Sequence, residues 1–583
     1  MTKPARIRRR KKARSHAHAL RRRGVVAVLT AFVLVVLFAF AAFAVDTGRI
    51  TNMQTKLQNA ADAAALAAAQ EITVAVNKAG DDGSTVTITA GSNVVTLARA
   101  MAKKVANANG VYIDPDRDVR FGQRKYDTAT GEWRIDWNQE PYNAVQVTVR
   151  RDNPDTSQPD GALRLAFGWA VARPTVDLRS HSTAFVESRD MVLVLDYSAS
   201  MNDDSEMGAF ASLGQSRVEK NLDDIWQALV DANIKFPNST RVKFPSTGFG
   251  GIQSKKGTYI SSTNKDTVME TLGLNQTLAN GSPKYPFPQA GKNSNGDPKG
   301  VPNASNNAKL WGGYIEYVQD LNGPYKKYYG YRTLINYLLT QRPQHHLSED
   351  LWRTPHYPAH AVKNGASLFL DFLRELDFGD EVGLVIYDTL AYRETKLPEE
   401  GIDISSDPIT ADYDAIDVMQ RRKQAGNEEG WTGMGFGIRE ARQMLASHAR
   451  YGAKPMMLVM TDGQTNQRPS GWTLPAGWNW SEFTDFDKDG HPDYTTSDRN
   501  KQYAFWEAAE AIKAGITIHT MTVGAEADVQ LMRAIAQASG GVSIHIPGGQ
   551  TIENLESQIL EAFAQIASKV PPAKLVYDLP PAE

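Results

Sequence analysis

The chain has 583 residues, a length that predicts two or more folding units because one hydrophobic core rarely organises so many residues. Its 64 basic and 66 acidic residues nearly balance and 42% of its residues are apolar, which excludes a disordered chain and gives no overall indication of nucleic-acid binding. The absence of cysteine excludes disulfides and thiolate metal sites.

The first segment is strongly basic and an apolar segment follows it directly. Residues 1–23 contain many lysines and arginines and no acidic residue, whereas residues 24–45 are interrupted only by Thr30. As a helix, the apolar segment would extend about 33 Å, enough to cross a bilayer. The basic residues predict a cytoplasmic N-terminus and an exported bulk. We therefore expect a single-pass protein of the bacterial inner membrane, with its bulk in the periplasm or outside the cell.

Two alternatives exist for these segments. Ala42-Phe43-Ala44 has the small-x-small form that signal peptidases accept, so a cleaved signal peptide is one of them. The apolar run is longer than a usual signal-peptide core, which favours an uncleaved anchor. A basic tail can also bind nucleic acid. Its position beside a membrane-spanning segment favours contact with anionic lipids instead, and no nucleic-acid partner is expected.

Beyond the apolar run, alanine and other apolar residues recur at helical spacing, so the helix is expected to continue outside the bilayer. Arg23-Gly24 opens the run, Val45-Asp46-Thr47-Gly48-Arg49 closes it, and Leu57-Gln58-Asn59-Ala60-Ala61-Asp62-Ala63 follows. This pattern resembles the N-terminal segment of TadG-like proteins of tight-adherence (Flp) pilus assembly.

The resemblance implies a single span, a pilin-like stem, a C-terminal von Willebrand factor A domain, and pilus-assembly or envelope components as partners. The stem and a small α+β region would occupy residues 46–185. Within it, the patterns predict a helix at 93–108 and strands near 119–124, 133–137 and 144–149.

Two apolar segments in the C-terminal part are typical of buried central strands. Residues 191–195 run into Asp196-Tyr197-Ser198-Ala199-Ser200, and residues 456–460 run into Thr461-Asp462-Gly463. Between them, Thr432 lies at the start of a predicted helix. Carboxylates and hydroxyls are hard oxygen ligands for Mg²⁺ or a similar ion. By itself, the serine motif is equally an ordinary turn or helix cap. We expect Asp196 to lie on a loop outside the core.

Together the three motifs resemble the metal-ion-dependent adhesion site of von Willebrand A domains. The resemblance implies an α/β fold with a Rossmann-like doubly wound sheet over residues 190–570 and ligands at the carboxyl ends of its strands. It implies that Ser198 and Ser200 coordinate Mg²⁺, or Mn²⁺ or Ca²⁺, through their hydroxyls. Asp196 and Asp462 would act largely through waters, and Thr432 would join or leave the ion. An acidic side chain of a protein ligand would fill the open position.

A first insertion, at about 202–358, separates the serine motif from the first helix expected in this domain, at 361–376. Its helix candidates at 223–236 and 331–339 predict a folded cap near the ligand site. The insertion is rich in aromatic residues. These residues either provide a binding surface or form the core of the insertion itself.

A second insertion, at about 464–500, is rich in acidic residues. Asp485, Asp487, Asp489 and Asp493 alternate with other residues as in the first part of a calcium loop. Because Thr496 stands where an EF-hand has a bidentate glutamate, we expect a looser Ca²⁺-binding turn. A solvated acidic loop is the alternative. Residues 571–583 are expected to form a C-terminal tail.

The sequence therefore predicts a membrane-anchored, exported von Willebrand A-domain protein that binds protein ligands through a metal ion, in Flp pilus assembly or cell adhesion. The alternative is an envelope scaffold with a structural metal site and no pilus role. An enzyme is not expected, because no histidine or lysine lies in these motifs to activate a Ser198 or Asp196 nucleophile.

Overall fold

The computed structural model describes residues 15–235, 250–287, 301–341, 355–423, 425 and 430–576. The basic residues at 1–14 lie outside this part of the chain. The helices are α1 (Ser15–Asp81), α2 (Asn93–Ala108), α3 (Pro115–Asp118), α4 (Phe210–Leu213), α5 (Gln215–Lys235), α6 (Lys265–Thr271), α7 (Ala304–Asp320), α8 (Tyr331–Gln341), α9 (Ala359–Leu376), α10 (Tyr413–Arg421), α11 (Met434–His448), α12 (Ser481–Thr484), α13 (Arg499–Lys513), α14 (Val529–Ser539) and α15 (Ile552–Ala567).

The strands are short at the insertions and longer in the two main sheets. They are β1 (Val119–Asp127), β2 (Glu132–Trp137), β3 (Ala144–Arg151), β4 (Leu163–Arg164), β5 (Thr175–Val176), β6 (Leu178–Phe185), β7 (Arg189–Asp196), β8 (Thr258–Tyr259), β9 (Tyr328–Tyr329), β10 (Glu381–Tyr387), β11 (Ala391–Arg393), β12 (Lys396–Leu397), β13 (Ile402–Asp403), β14 (Lys454–Thr461), β15 (Thr517–Val523), β16 (Ser543–Ile546) and β17 (Lys574–Val576).

Helix α1 joins the apolar segment to the stem without a break. Its 67 residues extend about 100 Å at 1.5 Å per residue. The large apolar side chains from Val26 to Val45 are exposed, whereas Leu57 and the alanines that follow it on the same face are buried. Within the described ranges, α1 is the one helix long and apolar enough to cross a membrane. Its first part has an apolar surface suited to lipid, and its second part packs against protein.

The stem is an α+β unit built on the second part of α1. Its antiparallel sheet has the order β17-β6-β3-β1-β2, and α1 packs against α2, β3 and β6. The helix and the three strands predicted between residues 93 and 149 are present, with β1 and β3 longer than expected.

The last strand corrects the predicted C-terminal tail. β17 pairs antiparallel with β6, with Lys574 opposite Phe185. Val570 and Ala573 are buried, and the Lys574 ammonium lies 2.8 Å from a carboxylate oxygen of Glu187. Strand β17 therefore completes the stem sheet against which α1 packs. Three residues are too few to carry a strand periodicity, so the sequence pattern does not indicate this pairing.

The central sheet of the main domain has the order β11-β10-β7-β14-β15-β16, with all pairs parallel except β10 with β11. Counted along the chain this order is 3-2-1-4-5-6, which is that of a doubly wound sheet. Helices α9, α10 and α15 pack on one face, and α11, α13 and α14 pack on the other. The predicted α/β fold is confirmed.

The stem and the main domain share one apolar core, which extends from α1 through the stem sheet to one face of the central sheet. Only residues 186–188 separate β6 from β7. At this junction Arg189 Nη2 lies 2.6 Å from Asp380 Oδ2, and both side chains are buried. Arg450 forms ion pairs with Asp190 and Glu381. The predicted boundary near 185–190 falls between two strands and does not separate two cores.

The first insertion folds around an apolar core of its own. The side chains of Trp311, Tyr314 and Tyr329 are fully buried there, packed edge to face. The aromatic residues of this insertion thus build its interior. In the second insertion, Trp478, Trp480 and Phe483 pack against Phe505 of α13.

Candidate metal site

The centre of the site is the carboxylate of Asp196, the last residue of β7. Asp196 Oδ1 accepts the backbone N–H of Ser198 at 2.9 Å, and Oδ2 accepts the Thr461 hydroxyl at 2.8 Å. The side chain is fully buried. The expectation that Asp196 lies on a loop outside the core is therefore wrong, because the residue ends a central strand flanked by β10 and β14.

Three further predicted residues lie together beside it. The Ser198 and Ser200 hydroxyl oxygens are 3.1 Å apart, and the Ser200 hydroxyl donates to Asp462 Oδ1 at 2.7 Å. Ser198 and Asp462 are buried, and Ser200 is half-buried. Because β7 and β14 are neighbouring parallel strands, the residues that follow them meet at the same edge of the sheet.

Thr432 reaches the same place from a third segment, the loop before α11. A Cβ atom built on Gly463 would lie 3.6 Å from Ser200 Oγ and 3.8 Å from Thr432 Oγ1, so both hydroxyls face this glycine. The Thr432 N–H donates to Asn466 Oδ1 at 2.8 Å, and the Asn466 N–H donates to the Thr432 carbonyl at 2.9 Å. These two bonds fix the Thr432 loop to the loop after β14.

The surroundings of the site are electrostatically negative. Burial raises the pKa of Asp196. Burial, followed by repulsion from Asp196, Asp203 and Asp204, raises the pKa of Asp462 well above its ordinary value. Burial and the neighbouring Asp204 raise the pKa of Asp203 to about 6. Buried carboxylates this close together bind either a proton or a cation, because each reduces their mutual repulsion.

The donor set fits a hard divalent ion. It comprises two carboxylates and three hydroxyls, all oxygen ligands of the kind that Mg²⁺, Mn²⁺ and Ca²⁺ prefer. The residues that could hold such an ion are Asp196, Ser198, Ser200, Thr432 and Asp462. Metal binding by this set stays a prediction.

Two positioning residues are absent from the sequence prediction. The Tyr387 hydroxyl donates to the Met460 carbonyl at 2.7 Å and lies 3.2 Å from Asp196 Oδ2. Asn466 holds Thr432, as described above. Tyr387 ends the strand beside β7, directly across from Asp196. Its position at the carboxyl end of a short apolar segment, residues 382–387, is a sequence signal that could have identified it, whereas Asn466 lies in an irregular loop with no such signal.

The acidic loop of the second insertion is only partly assembled as predicted. One carboxylate oxygen from each of Asp485, Asp487 and Asp493 lies within 4.8 Å of the others. The Asp489 carboxylate is outside this group and accepts the His491 N–H at 2.8 Å in a local turn. The structure therefore brings three of the four aspartates together. Calcium binding there stays a prediction.

Residues 24–71 match the family model of Flp pilus-assembly TadE/G-like proteins. The resemblance of the N-terminal segment to this family is thereby confirmed over the part of the chain that carries the apolar run and the start of the stem. This match and the apolar helix indicate a membrane anchor.

Solved structures similar to this chain contain von Willebrand A domains. The von Willebrand factor domain of the type V pili tip protein Mfa5 from Porphyromonas gingivalis is 16% identical, with a TM-score of 0.23 over 36% of this chain and 86% of that one. An aerotolerance-related membrane protein from Bacteroides fragilis is 14% identical, with a TM-score of 0.24 over 36% and 88%.

A third similar structure is proximal thread matrix protein 1 from the mussel byssus, with a zinc-occupied MIDAS motif. It is 13% identical, with a TM-score of 0.24 over 67% of this chain and 98% of that one. The comparison with curated proteins gives no match.

Proposed function

We propose that the protein binds a protein ligand through a divalent cation held by Asp196, Ser198, Ser200, Thr432 and Asp462. The observation that carries the proposal is the hydrogen bond from Ser200 to Asp462, which brings oxygen donors from two distant segments into one cluster. The ion proposed is Mg²⁺, with Mn²⁺ or Ca²⁺ as the other candidates.

The chemistry of the donors supports binding of an acidic partner. Serine and threonine hydroxyls are neutral ligands, and Asp196 already accepts hydrogen bonds at both carboxylate oxygens. An ion surrounded largely by neutral donors and water keeps positive charge toward an incoming anion. A glutamate or aspartate of the protein ligand would therefore complete its coordination.

The N-terminal match supports a role in Flp pilus assembly or cell adhesion, with pilus-assembly or envelope components as partners. We further propose that the N-terminus is cytoplasmic and the bulk exported, because the basic cluster within residues 1–23 directly precedes the apolar run. Alkaline phosphatase fused after Glu583 should be active. A stably expressed but inactive fusion would contradict this topology.

The experiment for ligand binding is capture of partners from envelope extracts with the full chain, in Mg²⁺ and in chelator. Capture should require the ion and should be lost in Asp196→Asn, which keeps the size of the buried side chain. Asp407→Asn is a matched control, because Asp407 is exposed and close to the amino end of β10. Folding of each variant is verified by circular dichroism.

If partner capture is unchanged by chelator and by Asp196→Asn, the binding proposal is wrong and the scaffold alternative replaces it. We propose no enzymatic activity, because no histidine or lysine lies in these motifs to activate the Ser198 or Ser200 hydroxyl. Hydrolysis of ester or peptide substrates that is lost in Ser200→Ala would contradict this.

For the acidic loop we propose Ca²⁺ as the ligand of Asp485, Asp487 and Asp493, with Asp489 as a further donor after the local turn rearranges. The support is the convergence of three carboxylates on a short loop, whose mutual repulsion a divalent cation would relieve.

A further inference from the structure

The hairpin formed by β4 and β5 carries an exposed apolar tip. Between the paired residues Arg164 and Thr175, the chain is Leu165-Ala166-Phe167-Gly168-Trp169-Ala170-Val171-Ala172-Arg173-Pro174. The side chain of Trp169 is 73% exposed and that of Phe167 is 41% exposed. Arg164 and Arg173, both exposed, flank the apolar residues. Two large aromatic side chains exposed on one turn indicate a contact with a membrane or another molecule, because soluble surfaces rarely expose large apolar side chains together.

The tip is fixed to α1 at the end of the apolar run. Asp46, the first residue after that run, accepts the Ala166 N–H at 2.7 Å and the Phe167 N–H at 3.0 Å with its two carboxylate oxygens. The carboxylate itself is buried by this contact. The hairpin tip therefore lies beside the point where α1 changes from apolar to polar.

The contacts that follow along α1 give the direction in which the hairpin points. Gln54 donates to the Arg179 carbonyl at 3.0 Å, and Gln58 is bonded to the His181 carbonyl at 3.4 Å. Residue 181 lies beside residue 58 of α1, residue 179 beside residue 54, and residue 166 beside residue 46. The chain from residue 181 back to residue 166 therefore runs along α1 toward the apolar segment. The hairpin approaches the apolar segment with its tip foremost.

Backbone hydrogen bonds between its two arms close the tip of the hairpin. The Arg173 N–H donates to the Gly168 carbonyl at 2.9 Å, and the Leu165 N–H donates to the Pro174 carbonyl at 2.9 Å. A Cβ atom on Gly168 would lie 2.1 Å from the Arg173 carbonyl oxygen, so the turn requires glycine there. The aromatic side chains are thus presented on a defined turn.

We propose that this tip, residues 165–174, inserts its aromatic side chains into the interfacial region of the bilayer beside α1, as a second membrane contact. The inference rests on the membrane anchor that the proposed function includes. Tryptophan favours the boundary between acyl chains and headgroups, where its ring is apolar and its N–H is hydrated. Arg164 and Arg173 lie where they can pair with lipid phosphates.

The hairpin tip is bonded to the end of the apolar helix segment, and this position indicates that lipid covers the tip. The tip is bonded to the residue at which α1 leaves the bilayer, so a membrane that surrounds residues 24–45 also reaches residues 166–169. If both α1 and the hairpin tip contact the membrane, the tilt of the exported domain relative to the membrane is fixed. With α1 as the one contact, the exported domain could rotate about the axis of that helix. The hairpin would hold the candidate metal site in one orientation relative to the membrane.

The absence of native cysteine allows a direct test with single labels. The full chain carrying Ala170→Cys is labelled with an environment-sensitive nitrobenzoxadiazole dye. It is then reconstituted into phosphatidylcholine and phosphatidylglycerol vesicles that contain a lipid with a nitroxide quencher, placed near the headgroup for the labels at residues 170 and 129 and deep in the acyl chain for the label at residue 38. Ala129→Cys is the matched control, because Ala129 is an exposed alanine in the β1–β2 turn at the far end of the stem sheet. Phe38→Cys, within the apolar segment, reports on the anchor.

We expect the dye at residue 170 to be blue-shifted and to lose most of its emission to the quencher, and the dye at residue 129 to be unaffected. Adding Phe167→Ser with Trp169→Ser should restore much of the emission at residue 170. Both side chains are exposed, so the fold should not depend on them.

Quenching at residue 38 without quenching at residue 170 would overturn the hairpin contact and leave the anchor intact. Absence of quenching at residue 38 would overturn the anchor itself, and the hairpin contact with it. If residue 170 is unquenched and the unlabelled Ala170→Cys chain forms disulfides between copies in the vesicle when a mild oxidant is added, a second copy of the chain covers the tip, and the lipid contact is wrong.

Discussion

The Ser200 hydroxyl donates a 2.7 Å hydrogen bond to Asp462 Oδ1 across 262 positions of the chain. The bond joins the loop after β7 to the loop after β14, which are neighbouring parallel strands. Asp462 is also repelled by Asp196, Asp203 and Asp204, which with burial raise its pKa well above the ordinary value. When no cation balances these charges, the site therefore lowers the free energy of unfolding.

We predict that Asp462→Asn stabilises the metal-free protein while removing its response to Mg²⁺. The substitution deletes a buried carboxylate whose raised pKa opposes folding at neutral pH, so the variant should unfold at a higher denaturant concentration than the wild type in chelator. Denaturant unfolding in chelator and in Mg²⁺ measures both effects. Equal Mg²⁺ stabilisation of the variant and the wild type would exclude Asp462 from the site.

We predict that Asp487→Asn combined with Asp493→Asn removes one bound Ca²⁺. The two carboxylates lie within 4.8 Å of each other and of Asp485, so losing both leaves too little negative charge to bind the ion. Titration calorimetry gives the stoichiometry. Glu482→Gln, at an exposed position on α12, is the matched control and should keep it. An unchanged stoichiometry in the double variant would support the solvated-loop alternative.

We predict that removing residues 571–583 destabilises the protein more than removing residues 577–583 does. The longer deletion takes away β17, its pairing with β6 and the ion pair between Lys574 and Glu187. At about 1 kcal/mol per net hydrogen bond, the loss should be on the order of 3 kcal/mol. Urea unfolding of the two truncated chains compares them directly. Equal midpoints would show that β17 contributes nothing.

We predict that His519 makes stability fall as the pH drops from about 6.5 toward 4. Burial, with the positive charges of Arg189 and Lys569, lowers the pKa of His519 to about 4. Between that value and the unfolded pKa of about 6.5, the unfolded chain binds the proton and the folded chain does not, so stability rises with pH across this window. The full difference amounts to roughly 3 kcal/mol.

The comparison for this prediction is His519→Asn. His519 Nδ1 accepts the Val542 N–H at 3.1 Å, and an asparagine oxygen can take over that role without titrating. Unfolding free energies measured from pH 4 to pH 7 should slope less in the variant. Parallel profiles for variant and wild type would show that other groups cause the acid sensitivity.

Much of the fold could be predicted from the sequence because its signals are local. The apolar run of α1, the buried strands β7 and β14, and the helical periodicity of α9 and α15 each lie within one short window. The metal-site residues were identifiable for the same reason, since Asp196 ends a strand, Ser198 and Ser200 lie within four residues of its end, and Asp462 directly follows another strand. The strand β17 and the positioning residue Asn466 were missed, because neither has a periodicity or a spacing of its own.

The sequence by itself indicated the apolar anchor segment, several of the main helices and strands, and the types of side chain available to a cation. Only the tertiary structure decided which of these residues meet. Asp462 lies beside Ser200 because two parallel strands pair, the fold of the acidic loop brings Asp485, Asp487 and Asp493 together without Asp489, and Asp46 holds the Phe167 turn because a hairpin packs along α1. Such contacts depend on register and packing between segments far apart in the chain, and residue patterns within a single segment carry no information about them.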